Sequence, residues 1–525
     1  MKTLLQILNS TKIRTVVFTF LIIIGLGFMA YFYENKVNYI HFVDEEENIV
    51  TGHYLLQGDK MYQDVFSQHQ PIPAIFSAVI QRVTNPNSLF LLVKRHREFI
   101  IVWSFIWSLL LIFRFGFWTA GFVFSYELTK IFLLGNLFLA ESLVVYPITY
   151  LVSLVICKPR DNPSNIELFF VGLIFMFLLF TFSPVWPLLI LLFICFAVKF
   201  KIYDWKKIGL IGLGVLPVLL SILPFVRISE YINSVFVFNS KYYIPLNQNQ
   251  LSLSTLPKSF FSFFLPFLQS SPDTVINQVI KVFSLCFVAL SIFFLTEKKK
   301  IFFLVFLFLG LANIRFIQPG LDYYRGFHLI VWYSLLLFVV FWSIKYLAHL
   351  AKNKAFRIGL AILGTGLVVF CLIVVRLELF VKRNLLNDYY INYSGQFDLG
   401  EAVRILKSPG DTLFVAPDQM LIYWQSGIQK SSKYIFYYPF MDKVLSVQND
   451  MAKMFENNPP TFIYCQKNLF GNLSQYLSNY LPLTRNDKPV DLYIHKDKLG
   501  NISGQQLKDL EYYQFFISPG YKIQK

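Results

Sequence analysis

Long apolar runs recur along most of this chain, and they constrain its fold more than any other feature. A helix needs ~20 apolar residues to cross the ~30 Å hydrocarbon core of a bilayer. Of the 525 residues, 55% are hydrophobic and only 15% are charged, which is too apolar for a soluble globule of this length. The sequence therefore predicts an α-helical polytopic membrane protein.

About eleven transmembrane helices are predicted on this length criterion. The first run is followed by no small-residue cleavage site, so it is interpreted as a retained signal anchor. The predicted spans are 15–33, 99–118, 119–139, 142–157, 166–182, 185–200, 208–226, 276–295, 301–317, 327–344 and 358–375.

The basic residues predict the orientation in the membrane. Lys and Arg number 47 against 31 Asp and Glu, and many lie in short loops between apolar runs. With a cytoplasmic N-terminus, the basic loops 158–165, 199–207, 297–300 and 345–357 also fall in the cytoplasm, as the positive-inside rule requires. This explanation of the charge leaves no reason to expect nucleic acid as a partner. We expect a multi-pass protein of the plasma (inner) membrane with its C-terminal region outside.

The span 119–139 is the weakest, because it contains Glu127 and Lys130. These residues are three apart and are expected to pair and to face protein or water. The odd number of spans, and hence the outer position of the C-terminus, depends on this segment.

Two domains are predicted. Residues 1–376 form the transmembrane domain, whose outer loop 34–98 carries an acidic motif, and residues 377–525 form an extracytoplasmic α/β domain. Strands are expected at 411–417, 460–465 and 490–495, with helical stretches at 441–457 and 469–481, which indicates a mainly parallel sheet. The region has neither GxGxxG nor a P-loop, so no nucleotide cofactor is predicted.

The acidic motif lies in HFVDEEENIVTGHYLLQGDKMYQD, residues 41–64. One interpretation is a helix start, with Asp44 as N-cap, Glu47 completing a capping box and Gly58 ending the helix. Capping leaves Glu45 and Glu46 unexplained, and Glu46 is expected to have no role beyond its charge. The other interpretation is a catalytic site, and the residues of this stretch alone leave both open.

Basic residues also stand on the predicted outer side, where they oppose the topology rule. Arg97 lies in LVKRHREF, and Arg315, Arg325 and His328 lie in RFIQPGLDYYRGFH. A lipid-linked phosphate would explain cations at that edge of the membrane, and ordinary anionic headgroups are the alternative.

Together these features resemble the GT-C membrane glycosyltransferases, in the branch of protein O-mannosyltransferases and bacterial lipid A aminoarabinose transferases. That family opens its first outer loop with an Asp-Glu pair, continues as a short helix to a Gly, and follows with Tyr-x-Asp and His-x-Pro. Here the matching residues, in order, are Asp44-Glu45, Gly58, Tyr62-x-Asp64 and His69-x-Pro71.

The resemblance implies an enzyme that moves a sugar from a polyprenyl-phosphate carrier to a protein, lipid or glycan acceptor. Asp44 would accept the proton of the attacking hydroxyl, and Arg97, Arg315, Arg325 and His328 would stabilise the phosphate that leaves. Glu45 and Glu141 are further catalytic candidates, and whether a divalent metal ion bridges Asp44 and Glu141 stays open. Tyr62, Asp64 and His69 are substrate-binding candidates, with a purely loop-fixing role as the alternative.

Two other functions compete with this one. A transporter or flippase would place ionisable groups near the bilayer midplane and would often show inverted repeats, whereas here the charges gather at one predicted face. A non-catalytic assembly protein would use the outer α/β domain alone. The sugar, the acceptor and the carrier length are not encoded in any recognisable motif.

Overall fold

The computed structural model describes residues 11–157, 163–247, 256–268, 274–297, 299–315, 326–381, 383–466 and 471–517. The chain divides into two compact units. The membrane unit comprises Met1–Val37, Arg97–Leu220 and Leu251–Asn384, and the sheet unit comprises Asn38–His96, Ser221–Gln250 and Leu385–Lys525. Arg325 lies outside the described residues.

Apolar α-helices make up most of the described membrane unit. Two of them, Leu89–Phe115 and Trp205–Ile222, extend from one unit's range into the other's. The remaining α-helices are Thr11–Glu34, Thr119–Thr129, Ala140–Ile156, Asn165–Leu179, Trp186–Phe200, Leu256–Phe260, Leu265–Leu268, Val275–Glu297, Lys299–Ala312, Ile330–Leu350 and Lys354–Phe380. Short 3-10 helices occur at Lys130–Leu133, Ser183–Val185, Ser262–Phe264 and Phe327–Leu329.

Seven helices in the described part are long and apolar enough to cross a membrane. They are Thr15–Glu34, Leu89–Phe115, Ser183–Phe200, Trp205–Ile222, Val275–Phe293, Phe327–Leu350 and Lys354–Leu379. Three shorter apolar helices, Ala140–Ile156, Asn165–Leu179 and Lys300–Ala312, correspond to three more of the predicted spans. The protein is an integral membrane protein built mainly from helices, as predicted.

The predicted span 119–139 is not one continuous helix. The α-helix Thr119–Thr129 has 11 residues, continues as the 3-10 turn Lys130–Leu133, and ends where Leu134 adopts a φ of 56°. At about 1.5 Å per residue this helix rises only about half the ~30 Å bilayer core. The expected pair is present: Lys130 Nζ lies 2.7 Å from Glu127 Oε2, and both side chains are buried in protein.

The sheet unit combines short helices with a six-stranded sheet. Its α-helices are Val43–Leu56, Pro71–Thr84, Ile228–Tyr231, Ile244–Asn247, Leu385–Leu406, Leu421–Ser426, Leu445–Asn457 and Gly504–Tyr512, with a π-helix at Ile232–Tyr243 and 3-10 helices at Pro439–Lys443, Gly471–Asn479 and Lys496–Asn501. The strands are β1 Thr412–Ala416, β2 Gln429–Lys430, β3 Phe462–Cys465, β4 Tyr480–Arg485, β5 Lys488–His495 and β6 Phe515–Ile517.

The expectation of a mainly parallel sheet is wrong. The strand order is β2-β1-β3-β5-β4-β6, and only the pairs β1–β2 and β1–β3 are parallel. The pairs β3–β5, β4–β5 and β4–β6 are antiparallel. The reason is a tight hairpin between β4 and β5, in which Asn486 and Asp487 both adopt positive φ, as a two-residue turn of type I′ requires.

The C-terminal strands share one core with segments from earlier in the chain. Ile49, Phe66 and Phe238 are buried in the same apolar cluster as β1, β3 and β5. The backbone N–H of Phe66 donates to Lys433 O at 2.7 Å, and Tyr54 OH donates to Ile428 O at 3.2 Å. The described parts of 38–96 and 221–250 therefore belong to the same compact unit as the C-terminal strands.

Candidate functional site

The acidic helix, Val43–Leu56, begins differently from the capped helix that the sequence suggested. Its N-cap is Phe42, in extended conformation, and no side chain caps it. Asp44 is the second residue inside the helix, so it cannot act as the N-cap, and Glu47 does not complete a capping box. The helix does end at Leu56, and Gly58 has a φ of +101°, so the predicted stop is correct.

Glu47 attaches the following loop to the acidic helix. This carboxylate is buried, accepts a hydrogen bond from Ser67 Oγ at 2.6 Å and lies 3.3 Å from His69 Nε2. Tyr62 OH donates to His69 O at 2.8 Å, and the Lys60 N–H donates to Asp64 Oδ2 at 2.8 Å. The contacts of Tyr62 and Asp64 are those of the loop-fixing alternative, whereas His69 is held directly by an acid of the motif.

Glu46 is a buried and bonded residue, so the expectation that it has no role beyond its charge is wrong. Gln396 Nε2 donates to Glu46 Oε1 at 2.5 Å, and His41 Nε2 contacts the same oxygen. Oε2 of Glu46 is buried and has no hydrogen-bond partner among the described residues. The neighbouring Glu45 is also 1% exposed.

Two functional candidates from the C-terminal part were not found by sequence reasoning. Asp418 follows β1, and burial and the charge of Glu46 raise the pKa of its carboxyl. Tyr438 precedes the turn Pro439–Lys443, and its pKa is raised by burial and by four acids: Asp418, Asp44, Glu47 and Glu46. We call these four acids the carboxyl cluster. The backbone N–H of Tyr437 donates to Pro417 O at 3.2 Å, so the segments that carry Tyr438 and Asp418 are bonded to each other.

Gln396 links the acidic helix to the segment that carries Asp418. While its amide nitrogen donates to Glu46, its Oε1 accepts from the Leu421 N–H at 2.9 Å. Leu421 begins a helix three residues after Asp418, and that helix packs against the acidic helix. The sheet unit thereby holds acids from two distant parts of the chain at one place.

The membrane unit brings three predicted site residues together. Glu141 lies in the first turn of the helix Ala140–Ile156, and its Oε1 is 2.9 Å from His328 Nδ1. Arg315 Nη1 is 3.4 Å from the same imidazole nitrogen. One nitrogen cannot donate and accept at once, so the shorter contact favours a proton on Nδ1 that is donated to the carboxylate. Glu141 is 5% exposed, and Arg315 and His328 are partly exposed.

The side chain of Arg97 is less exposed to solvent than we would expect for a residue that binds a phosphate. Its side chain is 1% exposed, and Nη1 donates to Val37 O at 2.6 Å. Its neighbour His96 is also buried, with Nε2 2.8 Å from Ser77 Oγ and Nδ1 2.7 Å from Leu92 O. Part of the basic stretch therefore has structural contacts of its own.

Among the described residues, no group of three or more His, Cys, Asp or Glu is placed to hold a metal ion.

No protein-family model matches the chain, and no curated protein matches its sequence. Solved structures do match. The crystal structure of ArnT from Cupriavidus metallidurans in the apo state aligns with 89% of this chain and 95% of that chain, with a TM-score of 0.50 at 11% sequence identity. The chain has the GT-C fold.

The predicted site residues divide between the two units of this GT-C fold. Asp44, Glu45, Tyr62, Asp64 and His69 belong to the sheet unit, together with the unpredicted Asp418, Tyr438 and Gln396. Arg97, Glu141, Arg315 and His328 belong to the membrane unit.

Proposed function

We propose that the protein is a membrane glycosyltransferase that moves a sugar from a polyprenyl-phosphate carrier to a hydroxyl group of an acceptor. The observation that carries the proposal is a GT-C fold over 89% of the chain whose acidic helix begins with the residues of the Asp-Glu motif. Because one fold hosts many reactions, the reaction is inferred from the chemistry of the side chains.

Asp44 is the residue we assign as the general base. It lies in the first turn of the acidic helix, is only half-buried, and can reach an incoming hydroxyl, whereas Glu45, Glu46 and Glu47 are buried. A carboxylate that accepts the hydroxyl proton in the transition state contributes roughly 10²- to 10⁴-fold to the rate. Glu45, at 1% exposure, is assigned a supporting rather than a proton-accepting role.

Arg315 and His328 are the groups we assign to the phosphate that leaves. A phosphate departs as a stabilised anion, so the membrane unit has to supply fixed positive charge rather than a proton. Glu141 Oε1 lies 2.9 Å from His328 Nδ1 and so fixes the orientation of the imidazole. Arg97 stays a candidate for binding this phosphate, although Nη1 of its guanidinium already donates to Val37 O.

The compact sheet unit also supports one orientation. The helix Thr11–Glu34 separates the basic N-terminus from 38–96, and 38–96 and 385–525 belong to the same unit. With a cytoplasmic N-terminus, the acidic helix and the C-terminal region share the outer side whatever the status of the span 119–139. A cysteine replacing the exposed Gly500, where an added Cβ meets nothing within 4 Å, tests this. Labelling by a membrane-impermeant thiol reagent only after lysis would refute the orientation.

A transporter or flippase is the alternative, and the buried Glu127–Lys130 pair is the observation that favours it. Both charges are already satisfied within the protein, however. Lys130 Nζ donates to Ser104 Oγ at 2.8 Å, and Tyr146 OH donates to Glu127 Oε1 at 2.6 Å. These contacts make the pair a structural link rather than a site awaiting an ion.

The experiment that tests the proposed function is mass spectrometry of glycans, glycoproteins and glycolipids from cells with and without the protein. The proposal expects loss of a sugar modification, restoration by the parent chain, and no restoration by Asp44→Asn. Unchanged glycan profiles, or full restoration by Asp44→Asn, would contradict it.

A further inference from the structure

The carboxyl cluster concentrates more negative charge than a single catalytic base requires. Asp44, Glu46 and Glu47 come from one helix, and Asp418 comes from the loop after β1. Glu46 is 1% exposed, and its Oε1 accepts a hydrogen bond from Gln396 and contacts His41. Its Oε2 is buried and has no hydrogen-bond partner among the described residues. A buried carboxylate oxygen without a donor costs free energy, which a ligand that donates a hydrogen bond would recover.

The hydrogen-bonding capacity of the cluster indicates which ligand it suits. Burial and the charge of Glu46 raise the pKa of the Asp418 carboxyl, whose oxygens can accept hydrogen bonds from a ligand. The raised pKa of Tyr438 keeps its hydroxyl protonated as a donor. Asp418 and Tyr438 are both only half-buried, so a ligand can reach them. Groups of this kind match the paired donors and acceptors of sugar hydroxyls.

The charge of the cluster indicates which ligands it rejects. A phosphate or carboxylate placed beside several acids is repelled, and this repulsion between like charges strongly weakens binding in a partly desolvated site. Bound divalent metal would invert this preference, but the described residues offer no group of three or more ligands placed to hold one.

We propose that Asp418, Tyr438 and Glu46 form the subsite for the acceptor, and that this acceptor is a neutral polyhydroxylated group, such as a sugar residue, rather than a phosphate-bearing one. The inference rests on the proposed function, in which Asp44 takes the proton of an acceptor hydroxyl. It assigns acceptor recognition to the C-terminal part of the chain, because Asp418 and Tyr438 come from the segment between β1 and the helix Leu445–Asn457.

Saturation-transfer NMR on the full-length protein in nanodiscs tests the subsite without any donor. The probes are methyl glycosides of common hexoses and pentoses, and the matching sugar phosphates. Asp418→Ala removes the hydrogen-bonding group, Asp418→Asn retains its shape without charge, and Tyr438→Phe removes the hydroxyl alone. Asp487→Asn is the matched control, because Asp487 is exposed in the β4–β5 turn and its left-handed backbone suits Asn equally well.

The parent is expected to bind at least one neutral glycoside and to bind the corresponding sugar phosphate at least tenfold more weakly. Affinity should fall about tenfold or more in Asp418→Ala, by up to about tenfold in Tyr438→Phe, less in Asp418→Asn, and not in Asp487→Asn, because a hydrogen bond between neutral groups contributes less than one to a charged group. Equal or tighter binding of sugar phosphates, unchanged affinity in all three variants, or no neutral glycoside bound would each overturn the subsite.

The two proposals fail separately. Glycoside binding that depends on Asp418 in a protein that transfers no sugar would retain the subsite and remove the enzyme. Sugar transfer that is indifferent to Asp418 and Tyr438 would retain the enzyme and remove the subsite.

Discussion

Replacing Glu46 by Ala should weaken the sheet unit locally without touching the proposed base. The carboxylate accepts from Gln396 Nε2 at 2.5 Å and contacts His41, and both Glu46 and Gln396 are buried. A hydrogen bond to a charged group is worth ~1.5–3 kcal/mol, and a buried donor left unpaired costs ~1–3 kcal/mol. Relief of the repulsion between Glu46 and Asp418 offsets part of the loss. We therefore expect a net cost of ~3 kcal/mol, which is about a 100-fold increase in local opening.

Hydrogen–deuterium exchange of the full-length protein measures this effect directly. Peptides from Val43–Leu56 and Leu385–Leu406 should exchange about 100-fold faster in Glu46→Ala. Glu46→Gln keeps an oxygen acceptor for Gln396, so its exchange should rise by about tenfold or less. Asp487→Asn should match the parent. Exchange in Glu46→Ala within twofold of the parent would refute the claim that Gln396 and His41 depend on this carboxylate.

Three further predictions follow from other contacts. Gly52→Ala places a Cβ 2.6 Å from Ser77 Oγ and 2.8 Å from the backbone oxygen of Ala74, so it should destabilise the acidic helix by ~1–3 kcal/mol. Thermal unfolding measures this, and an unchanged midpoint would contradict that close packing. Burial lowers the pKa of His53 from 6.5 to about 4, so the unfolded state binds the proton first and stability should fall as the pH drops from about 6.5 to about 4. His53→Asn should lose that pH dependence. If stability falls equally steeply with pH in the parent and in His53→Asn, the buried imidazole is not its cause. Arg315→Gln should weaken use of a polyprenyl-phosphate donor by about tenfold or more. Arg357→Gln, at an exposed position, is the control, and equal donor use by the parent and Arg315→Gln would contradict the prediction.

The membrane helices could be predicted from sequence because burial in lipid is a local requirement. Each span needs its own apolar run, and no distant residue has to be known. The predicted span 119–139 is not a continuous helix because of contacts with other parts of the fold. Its helix is interrupted at Lys130, whose ammonium is bonded to Glu127 and Ser104, and Leu134 then adopts a positive φ.

The sheet was less predictable because its pairing depends on turns. The strands β1, β3 and β5 were visible as apolar runs, whereas β2 has two residues and β6 has three. The Asn486-Asp487 turn was a usable signal, since these residue types tolerate the positive φ of a two-residue hairpin. Reading it would have given the antiparallel β4–β5 pair and corrected the expectation of a mainly parallel sheet.

The candidate site was predictable only where its residues are adjacent in sequence or stand at predicted loop edges. The acidic motif is one short stretch, and Glu141 and His328, although 187 residues apart, each follow a recognisable apolar boundary. Gln396 contacts Glu46 across 350 residues, and neither it nor Asp418 lies in any motif. Their contribution arises from the packing of the sheet unit, for which a single sequence holds no local signal.

Asp44→Asn is the variant that tests the central claim most directly. At the second position of the helix the substitution weakens the favourable interaction with the helix dipole by ~0.3–1 kcal/mol and keeps a side chain of the same shape, so the protein should fold and insert normally. Asn keeps the size of Asp but cannot accept the hydroxyl proton.

The decisive measurement is sugar transfer by the reconstituted protein from a panel of polyprenyl-phosphate hexoses and pentoses, followed by mass spectrometry of the released polyprenyl phosphate and the glycosylated product. The parent and Asp487→Asn should consume at least one donor at equal rates, and Asp44→Asn should transfer its sugar ~10²- to 10⁴-fold more slowly. Near-normal transfer by Asp44→Asn, or no donor consumed by the parent, would contradict the account.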